Sequence, residues 1–164
     1  MDFDAMIFAA GLGTRLRPLT DHTPKALVEV AGEAMLARTA RSLVAAGATR
    51  LIINVHHHAE QVIRFVDAHE GFGVDTRISH EPDEPLETGG GLRAARSLFR
   101  GDVPIVVHNV DVLLDAPLLA LIEQHRASGA LVSLAVMQRD PQRFLLFDEE
   151  GLFGRVDQRK DLRL

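Results

Sequence analysis

The stretch AMIFAAGLGTRLRPLTDHTPKAL, residues 5–27, joins a short apolar run to a loop rich in glycine and positive charge. The run at 5–10 has the length and composition of a buried strand. Gly11 and Gly13 follow it directly, where a backbone without side chains can take positive φ and approach a ligand closely. A glycine-rich loop after a first strand is typical of α/β proteins that bind phosphate groups.

Helix-like and strand-like segments alternate after this loop. Helical periodicity is found at 34–47, 59–69 and 91–99, and strand-like runs are found at 50–55, 74–80 and 104–110. The apolar face of the first helix consists of Met35, Leu36, Ala40, Leu43 and Val44. This order predicts an α/β fold, a Rossmann-like three-layer α/β/α sandwich with a mainly parallel sheet and a ligand site at the carboxyl ends of its strands. The run at 104–110 is expected to be a buried strand.

Glycine and aspartate residues mark the ends of the predicted helices. Helices are expected to stop at Gly47, Gly71 with Gly73, and Gly129. Asp115 is expected to cap the helix that follows it. The last part of the chain carries three strand-like runs without a helix between them: ALVSLAVM (130–137), RFLLFDEEG (143–151) and LFGRV (152–156). These runs predict a small antiparallel extension near the C-terminus, with a turn at DEEG.

The composition narrows the class of protein. With 46% hydrophobic residues among 164, the chain can bury the core of one domain, and its formal net charge of -5 argues against nucleic acid as a partner. The longest apolar runs are shorter than the roughly 20 residues needed to cross a bilayer, so we expect no membrane segment and a cytoplasmic protein. The chain has no cysteine, tryptophan or tyrosine, which excludes disulfides and thiolate metal sites and disfavours aromatic platforms for RNA or sugars.

Arg15, Arg17 and Lys25 place three permanent positive charges within eleven residues of the glycine loop. Pro18 and Pro24 restrict the backbone there, so the charges are expected to be held in place. The third glycine of a dinucleotide fingerprint and the Gly-Lys-Ser/Thr of a P-loop are both missing. A triphosphate site is the interpretation that uses this density of charge, and a solvated surface loop with incidental arginines is the alternative.

GLGTRLRPLT (11–20) followed by TPKALVEVAG (23–32) resembles the signature of the sugar-phosphate nucleotidylyltransferases, which join a nucleoside triphosphate to a sugar 1-phosphate and release pyrophosphate. The resemblance implies that Arg15 stabilises the leaving pyrophosphate and that Lys25 contacts phosphate near the reacting phosphorus. It implies nucleotide contacts from the loop residues Ala9, Ala10, Gly11, Gly13, Thr14, Arg15 and Lys25. It also implies a single nucleotidyltransferase domain, 1–164, with a nucleotide-binding half at about 1–112 and an acceptor-side portion at 113–164 that is shorter than is usual in the family.

The segment HEPDEPLETGGGL (80–92) carries three consecutive glycines where a helix is expected to begin. Members of the family have a similar acidic or amide residue followed by a glycine-rich turn at this place. By that resemblance Glu81 accepts an N–H of the nucleobase, and the backbone at Gly89 and Gly90 lies along the edge of the base. A flexible helix start is the alternative.

Asp111 stands at the carboxyl end of a strand in VVHNVDVLLD (106–115), where a carboxylate is well placed to hold Mg²⁺. The resemblance supports this metal role and adds Asp111 to Arg15 and Lys25 as a catalytic residue, although the family commonly has glycine where Val110 stands. In the family a later portion also supplies a second metal-binding aspartate. The carboxylates available for that role here, none in a context that singles it out, are Asp148, Asp157 and Asp161.

Three adjacent histidines, His56, His57 and His58, follow the strand at 50–55. Neighbours on a strand point to opposite faces, so these side chains are poorly placed to share one transition metal ion. A connection from the strand to the next helix is the expected role.

Within the family, the compact loop, LETGGGL (86–92) and VHNVDVL (107–113) look most similar to short bacterial uridylyltransferases that act on N-acetylmuramate 1-phosphate in cell-wall recycling. Mannose 1-phosphate guanylyltransferases are one alternative. A nucleotide-binding module of the same fold with weak catalysis is another. The resemblance leaves the nucleobase, the sugar and the oligomeric state open.

Overall fold

The architecture is that of a computed structural model, which describes residues 2–137, 143–157 and 162–163. These residues form two compact units, one that ends at Ala130 and one that begins at Leu131. The strands of the first unit are β1 (Phe3–Phe8), β2 (Glu29–Val30), β3 (Glu33–Ala34), β4 (Ala48–Val55), β5 (Asp75–His80) and β6 (Ile105–Asn109). Its helices are α1 (Met35–Ala45), α2 (Ala59–Ala68), α3 (Glu87–Ala94) and α4 (Leu118–Ser128).

Four strands of the first unit form a parallel sheet in the order β5-β4-β1-β6. β1 pairs with β4 on one side and with β6 on the other, so the strand order reverses direction at β1. In open parallel sheets, ligands bind outside the carboxyl ends of the strands at such a reversal. The sheet therefore places the loops after β1 and β6 at the expected ligand site.

Helices cover both faces of this sheet. Phe3 and Ile7 of β1 lie in a core with apolar side chains of α1, α2 and α4. Met6 points to the opposite face and packs with Ile52 and with side chains at and just beyond the end of α3, as the two-residue period of a strand requires. In the predicted apolar face of α1, the buried residues are Met35, Leu36, Ala40 and Leu43, with Val44 packed against them. The predicted three-layer sandwich with a parallel sheet is confirmed.

The helix ends predicted from the sequence are confirmed only in part. Gly129 closes α4 with a left-handed φ of 65°, as predicted. Asp115 does not cap α4, because the helix begins three residues later, directly after Pro117, and has no side-chain cap. Within the described residues, no helix is both long enough and apolar enough to cross a membrane.

The sequence predicts that β6 is buried, but in the described sheet it is an outer strand. Its side chains alternate between exposed and half-buried, and Ile105 and Val107 are 42% and 44% exposed. The expectation is wrong because an apolar run indicates a strand without indicating whether another strand covers its outer edge.

The second unit contains an antiparallel sheet in the order β7-β8-β9, whose strands are β7 (Arg143–Asp148), β8 (Gly151–Asp157) and β9 (Leu162–Arg163). Asp148 Oδ1 accepts hydrogen bonds from the amides of Glu150 and Gly151 at 2.8 and 3.0 Å, which builds the predicted turn. The antiparallel extension is confirmed for these strands. The prediction of a strand at 130–137 is wrong, because this segment carries no strand in the structure and none of the described strands pairs with it.

Candidate functional site

A cleft of about 820 Å³ opens at the carboxyl ends of β1, β4 and β6. Phe8, Asn54 and Asn109, at or next to the last positions of these strands, line it. The residues predicted to bind nucleotide that also line it are Ala10, Gly11, Gly13, Thr14, Arg15, Lys25, Glu81 and Asp111. Ala9, Gly89 and Gly90 do not line it. The volume is in the range of clefts that bury small-molecule ligands.

The loop after β1 turns at Gly13, whose φ of 65° lies in the left-handed region. Thr20 Oγ1 donates to the Gly13 carbonyl at 2.8 Å, and a Cβ on Gly13 would lie 2.9 Å from Thr20 Cγ2 and 3.1 Å from Lys25 Cβ. Gly11 lies outside the left-handed region, and a Cβ there would meet nothing within 4 Å. The prediction of a positive φ is therefore confirmed at Gly13 and wrong at Gly11. The open space at Gly11 leaves room for a ligand.

Gly13→Ala is expected to lower the free energy of unfolding by about 2 kcal/mol, because the added Cβ combines left-handed strain with close contacts to two side chains. Urea denaturation followed by circular dichroism measures this loss. Gly11→Ala is the matched control, and its free energy of unfolding is expected to stay within about 0.5 kcal/mol of the parent protein. Equal losses at the two positions would contradict the role of Gly13 as the turn of the loop.

Lys25 and Asp111 bring the loops after β1 and β6 together. Lys25 Nζ donates to Asp111 Oδ2 at 2.6 Å, and the two side chains are 19% and 43% exposed. Burial of the Asp111 carboxyl opposes its ionisation, but the hydrogen bond and charge of Lys25, with the charge of Arg15, outweigh burial and hold the pKa of Asp111 below its ordinary value. The cleft therefore holds an ionised carboxylate close to two cations.

Arg15 and Arg17 stand two residues apart but take different places. Arg15 lies in a short 3-10 turn, Thr14–Leu16, and its exposed side chain lines the cleft. Arg17 pairs with Asp21, with 3.5 Å between Nε and Oδ1, and does not line the cleft. Of the three loop cations, Arg15 and Lys25 thus belong to the cleft and Arg17 to a surface ion pair.

Two buried polar side chains lie at the wall of the cleft. Asn54 and Glu81 are 2% and 1% exposed, and Asn54 Nδ2 donates to Glu81 Oε1 at 2.8 Å. Asn54 Oδ1 accepts hydrogen bonds from the amides of Ala9 and Ala10 at 2.7 and 3.3 Å. Glu81 Oε2 accepts one from the amide of Leu86 at 2.8 Å. Sequence reasoning missed Asn54, and the available signal was a polar residue near the carboxyl end of an otherwise apolar strand.

α3 begins at Glu87, four residues before its predicted start, so the three glycines lie inside the helix. Glu87 lines the cleft, and its φ of 57° is left-handed for a residue with a side chain. Gly91 is buried, and a Cβ on it would lie 2.9 Å from Glu81 Oε1. The predicted start of this helix at residue 91 is therefore wrong. Gly91 lies inside the helix because it packs closely against Glu81, and helix propensity does not report such packing.

The acidic groups considered for metal binding are spread over the chain. Asp111 is in the cleft, Asp148 builds the turn between β7 and β8, β8 ends at Asp157, and Asp161 lies outside the described residues. In the part of the chain that the structure describes, no three or more histidine, cysteine or acidic residues are grouped to hold a metal ion.

The histidine run connects β4 to α2, as predicted. β4 ends at Val55 and α2 begins at Ala59. His58 takes a left-handed φ of 55° directly before the helix, and His56 Nδ1 lies 2.7 Å from the Glu81 carbonyl oxygen. The run therefore shapes a connection beside the cleft.

A family model for nucleotidyl transferases matches residues 4–148 of the chain. The N-acetylmuramate alpha-1-phosphate uridylyltransferase of Caulobacter vibrioides is 42% identical over 141 residues, which are 85% of this chain and 54% of that protein. The mannose-1-phosphate guanylyltransferase catalytic subunit beta of Drosophila pseudoobscura pseudoobscura is 38% identical over 152 residues, which are 90% of this chain and 41% of that protein. The chain thus spans about half the length of these curated relatives.

Solved structures share the fold. HddC from Yersinia pseudotuberculosis, complexed with GMP-PN, superposes with a TM-score of 0.71 at 24% identity, covering 93% of this chain and 68% of that one. UTP-bound UGPase from Acinetobacter baumannii superposes with a TM-score of 0.63 at 23% identity, covering 79% of this chain and 54% of that one. At such identities the superpositions establish the Rossmann-like fold.

Proposed function

The chain belongs to the nucleotidyl transferase family, and from this premise we propose that it joins a nucleoside triphosphate to a sugar 1-phosphate and releases pyrophosphate. The observation that carries the proposal is the placement of Arg15, Lys25 and Asp111 around one cleft at the reversal point of the sheet. The names of the two relatives, a uridylyltransferase and a guanylyltransferase of sugar 1-phosphates, support this class of substrate.

In the proposed reaction, a phosphate oxygen of the sugar 1-phosphate bonds to the α-phosphorus of the triphosphate. The bond between that phosphorus and the oxygen that bridges to the β-phosphate breaks, and its electron pair leaves on pyrophosphate. The phosphate nucleophile is already largely ionised at neutral pH, so no general base is needed. The protein positions the two reactants in line and stabilises the charge on their oxygens.

The residues of the cleft are assigned to these tasks. Arg15 stabilises the departing pyrophosphate and Lys25 the phosphate near the reacting phosphorus, because fixed cations act most strongly where charge develops. Gly11, with open space before its backbone, lets a phosphate approach the amides of the loop. The other loop contacts of this proposal are Ala9, Ala10, Gly13 and Thr14. Base contacts at Glu81, Gly89 and Gly90 stay predictions.

Asp111 is assigned as the ligand of Mg²⁺. The donor chemistry fits, because Mg²⁺ in nucleotide sites is commonly held by one or two carboxylates together with substrate phosphates and water. Asp111 offers an ionised carboxylate in the cleft, next to the lysine assigned to phosphate. When bound, the ion would neutralise charge on the phosphate oxygens.

UTP and N-acetylmuramate 1-phosphate are the proposed substrates. The Caulobacter uridylyltransferase is 42% identical to the chain, against 38% for the Drosophila guanylyltransferase. With these substrates, the proposed process is cell-wall recycling and the proposed location is the cytoplasm. GTP with mannose 1-phosphate is the second candidate, because several guanyltransferases match the chain at 35 to 40% identity.

A nucleotide-binding module with weak catalysis is the candidate from another class. It is favoured by the position of the charged residues of the cleft, because Arg15, Lys25 and Asp111 all lie in the nucleotide-binding half. In such a module the nucleotide-binding half, about 1–112, would keep its affinity for triphosphate while transfer is slow.

Pyrophosphate release tests these proposals. The chain is incubated with Mg²⁺ and each of UTP, GTP, dTTP and CTP, and each is combined with N-acetylmuramate 1-phosphate, mannose 1-phosphate or glucose 1-phosphate. We expect the highest kcat/KM for UTP with N-acetylmuramate 1-phosphate. A higher value for GTP with mannose 1-phosphate would favour the second candidate. Nucleotide binding by calorimetry without turnover on any acceptor would favour the binding module.

A further inference from the structure

Asn54 and Glu81 form a buried pair that joins two loops of the cleft. Both side chains are almost fully buried, with 2% and 1% of their surfaces exposed. On one side the pair holds the amides of Ala9 and Ala10, where the chain leaves β1. On the other side it holds the amide of Leu86, directly before α3. Buried polar groups bonded in this way fix the geometry of the backbone that they contact.

The direction of each hydrogen bond in this chain of contacts is determined. The amide of Ala9 is a donor, so the oxygen of the Asn54 side chain must face it, at 2.7 Å. The Asn54 nitrogen then faces Glu81, whose carboxylate oxygens accept both from it and from the amide of Leu86, each at 2.8 Å. Each partner thus presents the group that its neighbour requires.

α3 packs directly on this pair. A Cβ on Gly91 would lie 2.9 Å from Glu81 Oε1 and 3.1 Å from Asn54 Nδ2. The helix can approach this closely because Gly91 has no side chain. The pair therefore sets the position of α3 as well as that of the loop after β1.

We propose that Asn54, oriented by Glu81, is a positioning residue that holds the triphosphate loop and the start of α3 in the arrangement that binds nucleotide. The inference rests on the proposed function, because that function assigns the loop held by the pair to the triphosphate. In this assignment Glu81 acts through Asn54 and Leu86, whose donors occupy one acceptor site on each of its oxygens, and the predicted contact of Glu81 with a base N–H is not used. Asn54 acts in this role by holding the backbone at Ala9 and Ala10.

Exchanging the two side-chain types tests the pair. In the double variant Asn54→Asp/Glu81→Gln, the new carboxylate at position 54 would still accept from the Ala9 amide. The new amide at position 81 would donate through its nitrogen to that carboxylate and accept through its oxygen from Leu86. Every hydrogen bond is kept, but the one between positions 54 and 81 changes direction, because position 81 now donates and position 54 accepts. The net charge is unchanged. Asn54→Asp alone sets two carboxyl groups against each other, and Glu81→Gln alone leaves one donor without an acceptor.

We expect kcat/KM for the nucleoside triphosphate to fall about 10- to 100-fold in Asn54→Asp and less in Glu81→Gln, mainly through a higher KM. The double variant is expected to return to within about threefold of the parent protein. Glu84→Gln is the matched control, because Glu84 is exposed in the same segment and does not line the cleft, so its kinetics should be those of the parent. UTP with Mg²⁺ is the probe, and calorimetry gives its Kd for each variant.

A structural role alone predicts a different result. Thermal melting would then shift in Asn54→Asp, while the folded protein, assayed well below its melting temperature, would keep the KM and Kd of the parent. That outcome would overturn the inference, as would a double variant less active than Glu81→Gln. The second comparison remains decisive if Asn54→Asp does not fold.

Failure of the proposed function gives another pattern. If the parent protein binds UTP but releases no pyrophosphate with any acceptor, the transferase proposal fails, and the Kd values of the parent protein and its variants still decide the role of Asn54. If the parent protein turns over and Asn54→Asp matches it in KM and Kd, the inference alone fails. A parent protein that neither binds nor turns over nucleotide overturns both.

Discussion

Arg15→Ala is expected to lower kcat for pyrophosphate release by about 100- to 1,000-fold, the usual effect of removing one fixed donor from a site of developing charge. The guanidinium lies at the cleft on a short turn, and its charge helps to lower the pKa of Asp111, which also lines the cleft. It therefore acts on the anionic groups of this site. The measurement is the initial rate of pyrophosphate release at saturating triphosphate and sugar 1-phosphate.

Arg17→Ala is the matched control for this result. It removes the same side chain two positions along the same loop, where the arginine pairs with Asp21 and does not line the cleft. Exposed pairs of this kind contribute little to stability, so both variants should melt close to the parent protein. Similar losses of activity in the two variants would show that the total charge of the loop matters and would remove the specific role of Arg15.

The residues that carry charge in the cleft could be predicted from the sequence because their positions depend on local order. Arg15 and Lys25 follow the first strand and Asp111 follows the strand at 105–109, and parallel strands bring their carboxyl ends to one edge of a sheet. Alternation of strand and helix was enough for the three-layer fold. The separation of Arg15 from Arg17 was not predictable, because it depends on which way each side chain leaves a short turn.

Contacts between segments that are distant in the sequence explain the other features of the structure that the sequence did not predict. Asn54 and Glu81 are 27 residues apart, and their pairing appears only after β4 and β5 lie side by side. The same packing explains why Gly91 lies inside α3 and does not begin it. The exposed face of β6 and the lack of a strand at 130–137 depend on strand pairing, which an apolar run does not determine.

Asp111→Asn is expected to weaken metal-dependent turnover, with a fall in kcat/KM of at least about 100-fold at a fixed concentration of Mg²⁺ that is saturating for the parent protein. Asparagine keeps the shape of the side chain but loses the negative charge that attracts a divalent cation. It also leaves the ammonium of Lys25 without its carboxylate partner at 2.6 Å. The pair is partly exposed, so the free energy of unfolding should change by no more than about 1 kcal/mol, and loss of activity would not reflect loss of fold.

The dependence of rate on Mg²⁺ separates a metal ligand from a simple partner of Lys25. A metal ligand predicts that Asp111→Asn needs a higher Mg²⁺ concentration for half-maximal rate, whereas loss of the lysine contact alone would lower the rate at every concentration alike. Asp115→Asn is the matched control, because Asp115 is exposed on the same connection, does not line the cleft and does not cap α4. It should keep the parent titration curve. A parent-like curve in Asp111→Asn would exclude Asp111 as the metal ligand, and with it the metal role assigned to the carboxyl end of β6.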